Sequence, residues 1–408
     1  MPKSNFFTGQ PVFNQLLSLI PRSSIRQLSK QFQSDRYYKK FKAYDHLVTM
    51  LFCCFHQCTS LRELITGLQA NAHRLEHVGI QHTPRRSTLA DANKQRNAIL
   101  FEKLFHILHK HHYGILPDSL KGKKLKEKLF IIDSTTITLF CEVLKGAGTY
   151  RLNGKRKGGL KAHVLTRAID QVPCFVDLTA AAQNDRVFMP MINLPAGSVL
   201  VMDKAYVNYK TMNEWTLKNI TWVTRLSKSL RYEIIESKEV SARHRAAGVF
   251  NDAIILLGNP QTQKRNALQK ARLVTYHDKK SGRSFDFLTN NLLLSPLSIA
   301  HIYKKRWDIE TLFRRVKQNF RFHNFLGDNE NAIKIQMWCS LIADLLITVV
   351  KRRVERFRKT KWSFANIAGL IRQHLTTYIN LIKFLLNPEK AMLQFIVERK
   401  SQIPLFPT

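Results

Sequence analysis

The sequence predicts an α/β protein, a mixed-sheet core with a β-rich insertion, preceded by a helical N-terminal region. Three observations predict it. Residues 1–115 repeat apolar side chains at i, i+3 and i+4, whereas 128–133 (KLFIID) and 199–203 (VLVMD) are short unbroken apolar runs, each ending in an aspartate. Such runs mark strands buried on both faces. Residues 301–320, HIYKKRWDIETLFRRVKQNF, lack Pro and Gly and keep a helical apolar spacing.

Within residues 1–120, VFNQLLSLI, IRQLSKQFQ, AYDHLVTMLFCCF and LRELITGLQ read as short helices separated by Pro21, Ser23 and Ser60. A longer helix is expected from Ser87 or Thr88, with Asp91 closing a capping box on Thr88. Several short helices in a basic chain suit a DNA-binding region. Within the core, 121–362, the strand at 128–133 is followed by a basic, Gly-rich loop, then by strands at 160–169 and 172–181. The strand ending at Asp203, a short helix at 209–218 and a strand at 221–226 come next. Residues 227–289 are richer in β-formers and read as an insertion, with Asp278-Lys279-Lys280-Ser281-Gly282 as a hairpin turn. A buried helix follows 301–320, and 363–408 is again helical.

If 301–320 is one continuous helix, Ile302, Ile309, Leu312, Phe313, Val316 and Phe320 form its apolar stripe. Tyr303, Arg306, Glu310 and Lys317 then share one border of it, within an arc of roughly 60° at about 100° per residue. An ordinary surface helix with i,i+4 charge pairs is the plain reading of such a pattern. The two strand-terminal aspartates change it. A buried strand that stops at an ionised carboxylate needs a reason. Asp133 and Asp203 on adjacent strands, with Glu310 from a helix beside them, would gather three carboxylates. Three such groups repel unless divalent cations stand between them, and oxygen donors suit Mg²⁺ or Mn²⁺. Two such ions clamp the attacking and leaving oxygens of a phosphodiester displacement.

Composition agrees with that substrate. Lys and Arg number 65 against 29 acids, a formal charge of +36 spread along all 408 residues. A polyanion is the simplest partner, DNA or RNA ahead of ribosome or membrane. No run of 18 apolar residues occurs; the closest, 337–350, contains Asp344 and reads as a buried helix. The N-terminus MPKSNFFTGQ has no apolar signal-peptide region, so a cytoplasmic location is expected. The six cysteines (53, 54, 58, 141, 174, 339) are scattered. Cys54-x-His56-x-Cys58 lies in an apolar helix with no second ligand pair, which favours core cysteines over zinc. His106, His109, His111 and His112 end a helix, where they would complement its dipole or meet phosphate.

Three sets of residues carry a family resemblance. IleIleAspSerThrThrIle (131–137) resembles a first-Asp motif, MetAspLysAlaTyr (202–206) a second, and Tyr303-x2-Arg306-x3-Glu310-x6-Lys317 a Tyr-Arg-Glu-Lys signature with unchanged spacing. Over about 125–340 the chain looks like a DDE transposase of the bacterial insertion-sequence family named for that signature. The resemblance implies a ribonuclease H-like core, with Asp133, Asp203 and Glu310 as catalytic acids holding two Mg²⁺ or Mn²⁺ ions. It implies cut-and-paste movement of a DNA element through a hairpin intermediate. It also places Tyr303, Arg306 and Lys317 at the transferred DNA end. The implied partners are terminal inverted repeats and target DNA, bound by a homodimer in a synaptic complex near the bacterial nucleoid, with no membrane. Relatives can stack an aromatic on a flipped base; Trp222 and Trp307 are candidates that the motif does not fix, with core packing the favoured reading for each. Arg151, Lys155, Arg156, Lys157 and Lys161, interleaved with Gly154, Gly158 and Gly159, are candidates for phosphate contact. The basic run 351–361 is divided between DNA contact and a solvated face. Two other readings stay open: a nuclease that cuts without strand transfer, and an inactive DNA-binding protein derived from such an element.

Overall fold

The computed structural model describes residues 9–116, 128–138, 149–152, 155–168, 173–180, 183–227, 229–258, 270–320, 325–358 and 361–390. The chain divides into two compact units, Met1–Leu116 with Arg315–Thr408, and Pro117–Arg314.

The first unit is helical and is built on Glu330–Glu355, whose N-terminus Asn329 caps by accepting from the Ala332 amide. Helices Ala43–His56, Arg86–Gln95, Ile99–His111, Phe364–His374 and Leu381–Leu386 pack around it. Glu330–Glu355 is long and apolar enough to cross a membrane, yet 94% of that apolar window is buried by these neighbours. Arg86–Gln95 begins before the expected Ser87 or Thr88, and no side chain caps it. Cys53, Cys54, Cys58 and Cys339 are buried here as core residues. His106 and His112 are also packed inward: burial pulls His106 down to about 4, and His112 Nε2 lies 2.9 Å from the Leu19 carbonyl. That placement does not suit the phosphate role expected of them. In the basic run, Lys351 and Arg352 pair with Glu355, and Arg356 and Arg358 donate to the Gly114 and Leu385 carbonyls. Lys359 lies outside the described residues.

Among the described residues the second unit carries ten strands: β1 Leu129–Thr138, β2 Thr149–Leu152, β3 Lys155–Arg167, β4 Pro173–Ala180, β5 Val199–Met202, β6 Thr221–Arg225, β7 Tyr232–Ser237, β8 Val249–Leu257, β9 Lys270–Asp278 and β10 Arg283–Thr289. Their order is β2-β3-β1-β5-β6-β10-β9-β8-β7, with β4 also on β3. β1, β5 and β6 are mutually parallel, β3 and β10 antiparallel to them. Alternate residues of β1 and β5 enter two cores. Phe130, Ile132, Leu200 and Met202 join Trp222 on one face. Leu129, Val199 and Val201 meet Ile299, Ile302 and Tyr303 on the other. Burial on both faces explains the unbroken apolar runs. The strand-rich segment 227–289 is hydrogen-bonded into the same sheet through β10 and β6. Its β9–β10 turn is the expected one, with Gly282 at φ +66° and Ser281 donating to Asp278.

Two expectations need correcting. The basic segment after β1, expected as a loop, includes a hairpin: β2 pairs β3 antiparallel, Arg151 opposite Arg156 and Leu152 opposite Lys155. The side chains of Arg151, Lys155, Arg156 and Lys157 lie outside the described residues. The helix expected at 301–320 is two helices, Pro296–Lys304 and Trp307–Phe320. The first starts early because Ser295 caps the Ser298 amide and Pro296 sits at the first helical position. Between them the Arg306 amide bonds the Tyr303 carbonyl and Ile309 the Arg306 carbonyl, a tightened i−3 pattern that apolar spacing does not reveal.

In the helical unit, Arg315 forks onto Asp344 at 2.8 and 2.7 Å, and Asp344 is 1% exposed. Burial raises the Asp344 pKa, opposed by Arg315. Asp344→Ala is therefore expected to cost about 3–5 kcal/mol in urea unfolding, and Arg315→Met with Asp344→Leu to recover most of it. A single-variant loss below about 1 kcal/mol would mark the pair as solvated.

Candidate active site

Strand register brings the two aspartates together. β1 and β5 pair in parallel from Leu129 opposite Val199 to Ile132 opposite Met202. The next residue on each strand is Asp133 and Asp203. Contrary to the sequence expectation, β1 does not stop at Asp133; it continues beside β3 to Thr138, with Asp133 opposite Val164. What stops is its other neighbour, because Asp203 leaves the sheet and opens the 3-10 turn Lys204–Tyr206. Asp133 therefore stands where β1 has lost one partner strand, at a notch in the sheet.

Arg306, only 9% exposed, fills the space beside that notch. Its Nη1 donates to Asp133 Oδ2 and its Nη2 to Glu310 Oε1, both at 2.6 Å. The break between the two helices releases Arg306 from a regular helical position, and Glu310 sits one turn into the second helix. Arg225 serves Asp203 in the same way: Nη2 to Oδ1 is 2.9 Å. β5 and β6 pair Val201 with Val223, which brings Asp203 and Arg225, each two residues further on, to the same end of the pair.

The charges register this crowding. Burial pushes the Asp133 carboxyl up to about 6; Arg306 and the Ser134 amide oppose that, while Asp203 and Glu310 add to it. Burial would raise Asp203 too, but the Arg225 hydrogen bond, the Lys204 amide and the Arg225 and Arg306 charges hold it below the usual carboxylate range. Tyr303 is buried and pushed up to about 12, with Arg225 and Arg306 pulling the other way. Burial lowers Lys317, which lies on the Glu310 helix. Among the described residues, no three His, Cys, Asp or Glu side chains form a group able to hold a metal ion as they stand. The acids influence one another, but arginines occupy the space between them.

Two other candidates are placed differently from expectation. Trp222 is fully buried, with Nε1–H donating to Thr216 Oγ1 at 3.0 Å, so it cannot stack on a base. Its β6 position faces the core, which the Trp alone did not reveal. Trp307, in contrast, is 58% exposed beside the Arg306 guanidinium. Lys161 is tied to Asp185 at 2.8 Å and to the Gln183 carbonyl, which leaves its charge already compensated. Sequence reasoning missed Arg225. The available signal was a cation ending the apolar strand that follows the second aspartate.

Comparison with known proteins decides the family. Residues 124–346, more than half of the 408, match the family described as Transposase DDE domain. The chain belongs to the DDE transposase family. Members of this family cleave and transesterify phosphodiesters and normally use divalent metal ions. Residues 8–81 match a second family, described as a Domain of unknown function (DUF4372). The chain is 29% identical over 274 residues to the inferred transposase y4zB of Sinorhizobium fredii, covering 66% of this chain and 72% of that protein. It is 26% identical over 245 residues to the inferred transposase of insertion sequence element IS5377 of Geobacillus stearothermophilus. That match covers 60% of this chain and 62% of the relative, less than two thirds of its length. A piggyBac transposase synaptic complex with hairpin DNA is similar at a TM-score of 0.43 and 10% identity, over 99% of this chain and 85% of that one.

The electrostatics of this transposase give a direct test. Arg306 holds the Asp133 pKa down against burial, so Arg306→Gln should move it further up from about 6. A ¹³C titration of selectively labelled aspartate reads this. An unchanged or lower value would show that Arg306 does not compensate Asp133.

Proposed function

We propose that this transposase cuts DNA at the ends of its insertion sequence and joins them to target DNA, with Asp133, Asp203 and Glu310 holding two Mg²⁺ or Mn²⁺ ions. The observation that carries the reading is the register that sets Asp133 beside Asp203, with Glu310 linked to Asp133 through Arg306. The donor set fits hard divalent cations: three carboxylates, of which Asp133 is raised to about 6 by burial and by its acidic neighbours. Such a site is short of positive charge. When bound, the two ions supply Lewis-acid stabilisation to the attacking and leaving oxygens of an in-line displacement.

The chain's own groups do the rest. Arg306 presents a planar fork that fits phosphate as well as it fits carboxylate. It exchanges Asp133 and Glu310 for the phosphate of the DNA end, which frees both acids. Tyr303, behind it, positions the guanidinium, and Lys317 contributes a more mobile charge to the same strand. Trp307 offers an exposed ring beside the site. The spacing of Tyr303, Arg306, Glu310 and Lys317 supports the Tyr-Arg-Glu-Lys subfamily and its hairpin intermediate. Adjacent parallel β1 and β5, each carrying an acid, support a ribonuclease H-like core. The helical region 1–120 and the basic β2–β3 hairpin share the binding of terminal repeats and target DNA. Two copies act together in a synaptic complex at the bacterial nucleoid.

Asp133→Asn, Asp203→Asn and Glu310→Gln should each lower Mg²⁺-dependent cleavage of a terminal-repeat duplex at least about 100-fold while leaving duplex binding in place. Near-native cleavage by Asp203→Asn would remove that residue from the site. Cleavage without joining of a 3′-hydroxyl end would indicate a nuclease. Affinity for duplex DNA should fall about 10³-fold or more between about 50 and about 200 mM salt, as many phosphate contacts require. A flat salt profile would count against DNA as the partner of the +36 charge.

A further inference from the structure

A buried hydrogen-bond chain joins the Asp203 turn to the strand paired beside Asp133. His163, on β3 directly opposite Ser134 of β1, is fully buried. Its Nε2 lies 2.8 Å from Thr179 Oγ1 on β4, and its Nδ1 2.9 Å from the Tyr206 hydroxyl. The ring stacks on Phe188 with centroids 4.9 Å apart. Tyr206 closes the 3-10 turn that Asp203 opens, and Ser134, the residue after Asp133, lies opposite His163 in the β1–β3 register. The Tyr206–His163 hydrogen bond thus ties the turn of the second acid to the strand that pairs beside the first.

We propose that Tyr206 and His163 are positioning residues that fix the separation of Asp133 and Asp203 and so set the affinity of the pair for a divalent cation. This rests on the reading of those acids as metal ligands. Register aligns the two aspartates only up to Ile132 and Met202; beyond them Asp203 leaves the sheet, and β1–β5 pairing no longer holds it. The hydroxyl chain takes over there. In the tautomer protonated at Nε2, Tyr206 donates to His163 Nδ1 and Nε2–H donates to Thr179 Oγ1, so both ring nitrogens are used. Burial brings the His163 pKa down to about 4, with Asp185 opposing and Lys161 adding, so the ring is neutral and one of its nitrogens accepts. Partners of this kind, which orient metal-binding side chains without touching the ion, typically change metal affinity 10–100-fold when removed.

The test titrates the full chain with Mn²⁺ alone, following the free Mn²⁺ signal by electron paramagnetic resonance and checking the fold by thermal unfolding. Tyr206→Phe keeps the ring and removes one oxygen. It should weaken Mn²⁺ binding about tenfold or more with little change in melting temperature. His163→Leu should weaken binding likewise, and His163→Asn, which restores an acceptor near Nδ1, should regain part of it. A packing role alone would leave Leu and Asn variants equal in affinity. Wild-type affinity in Tyr206→Phe, with binding lost in Asp203→Asn, would overturn the positioning role and leave the metal site standing. If Asp203→Asn titrates like the wild type, or the wild type binds no Mn²⁺, the metal-site reading falls and takes this inference with it.

Discussion

The site depends on one electrostatic constraint: carboxylates placed at a half-buried notch in a sheet must be met by positive charge. Arg306 meets two of them and Arg225 the third. Removing Arg306 would leave Asp133 uncompensated in a poorly solvated position, which costs several kcal/mol. The same constraint makes the site responsive. A divalent cation competes with arginine for a carboxylate, and a phosphate competes with a carboxylate for arginine, so the proposed exchange uses the contacts already present.

The fold supplies that constraint with little local machinery. Parallel pairing of β1 and β5 runs four residues in register and then ends at the two aspartates. Burial of both faces fixes the register, because a one-residue slip would send every apolar side chain to the opposite core. Beyond the sheet, the tightened turn at Lys305 and Arg306 aims the guanidinium at Asp133, which a regular helix through Arg306 would not require.

The apolar runs before Asp133 and Asp203 were legible in sequence because two-sided burial leaves no room for polar residues. The strand-rich character of 227–289 and the β9–β10 turn were legible for similar local reasons. The helix break at Lys305 and Arg306 was not, since apolar spacing continues through it almost unchanged. Arg225 escaped because its significance lies in β5–β6 pairing, a non-local fact. Trp222 was read as a base-stacking candidate because sequence alone does not say which face of β6 it occupies. The β2–β3 hairpin was hidden by its glycines and cations, which suit a loop as well as an exposed strand.

The central claim is that Arg306 and divalent cations exchange places on Asp133 and Glu310. The most direct measurement is anomalous diffraction from crystals of the full chain grown with Mn²⁺ and a DNA duplex. The account predicts Mn²⁺ peaks between Asp133 and Asp203 and beside Glu310, with Arg306 turned to a phosphate. A structure in which DNA and Mn²⁺ are bound elsewhere, while Arg306 still bridges Asp133 and Glu310, would contradict it.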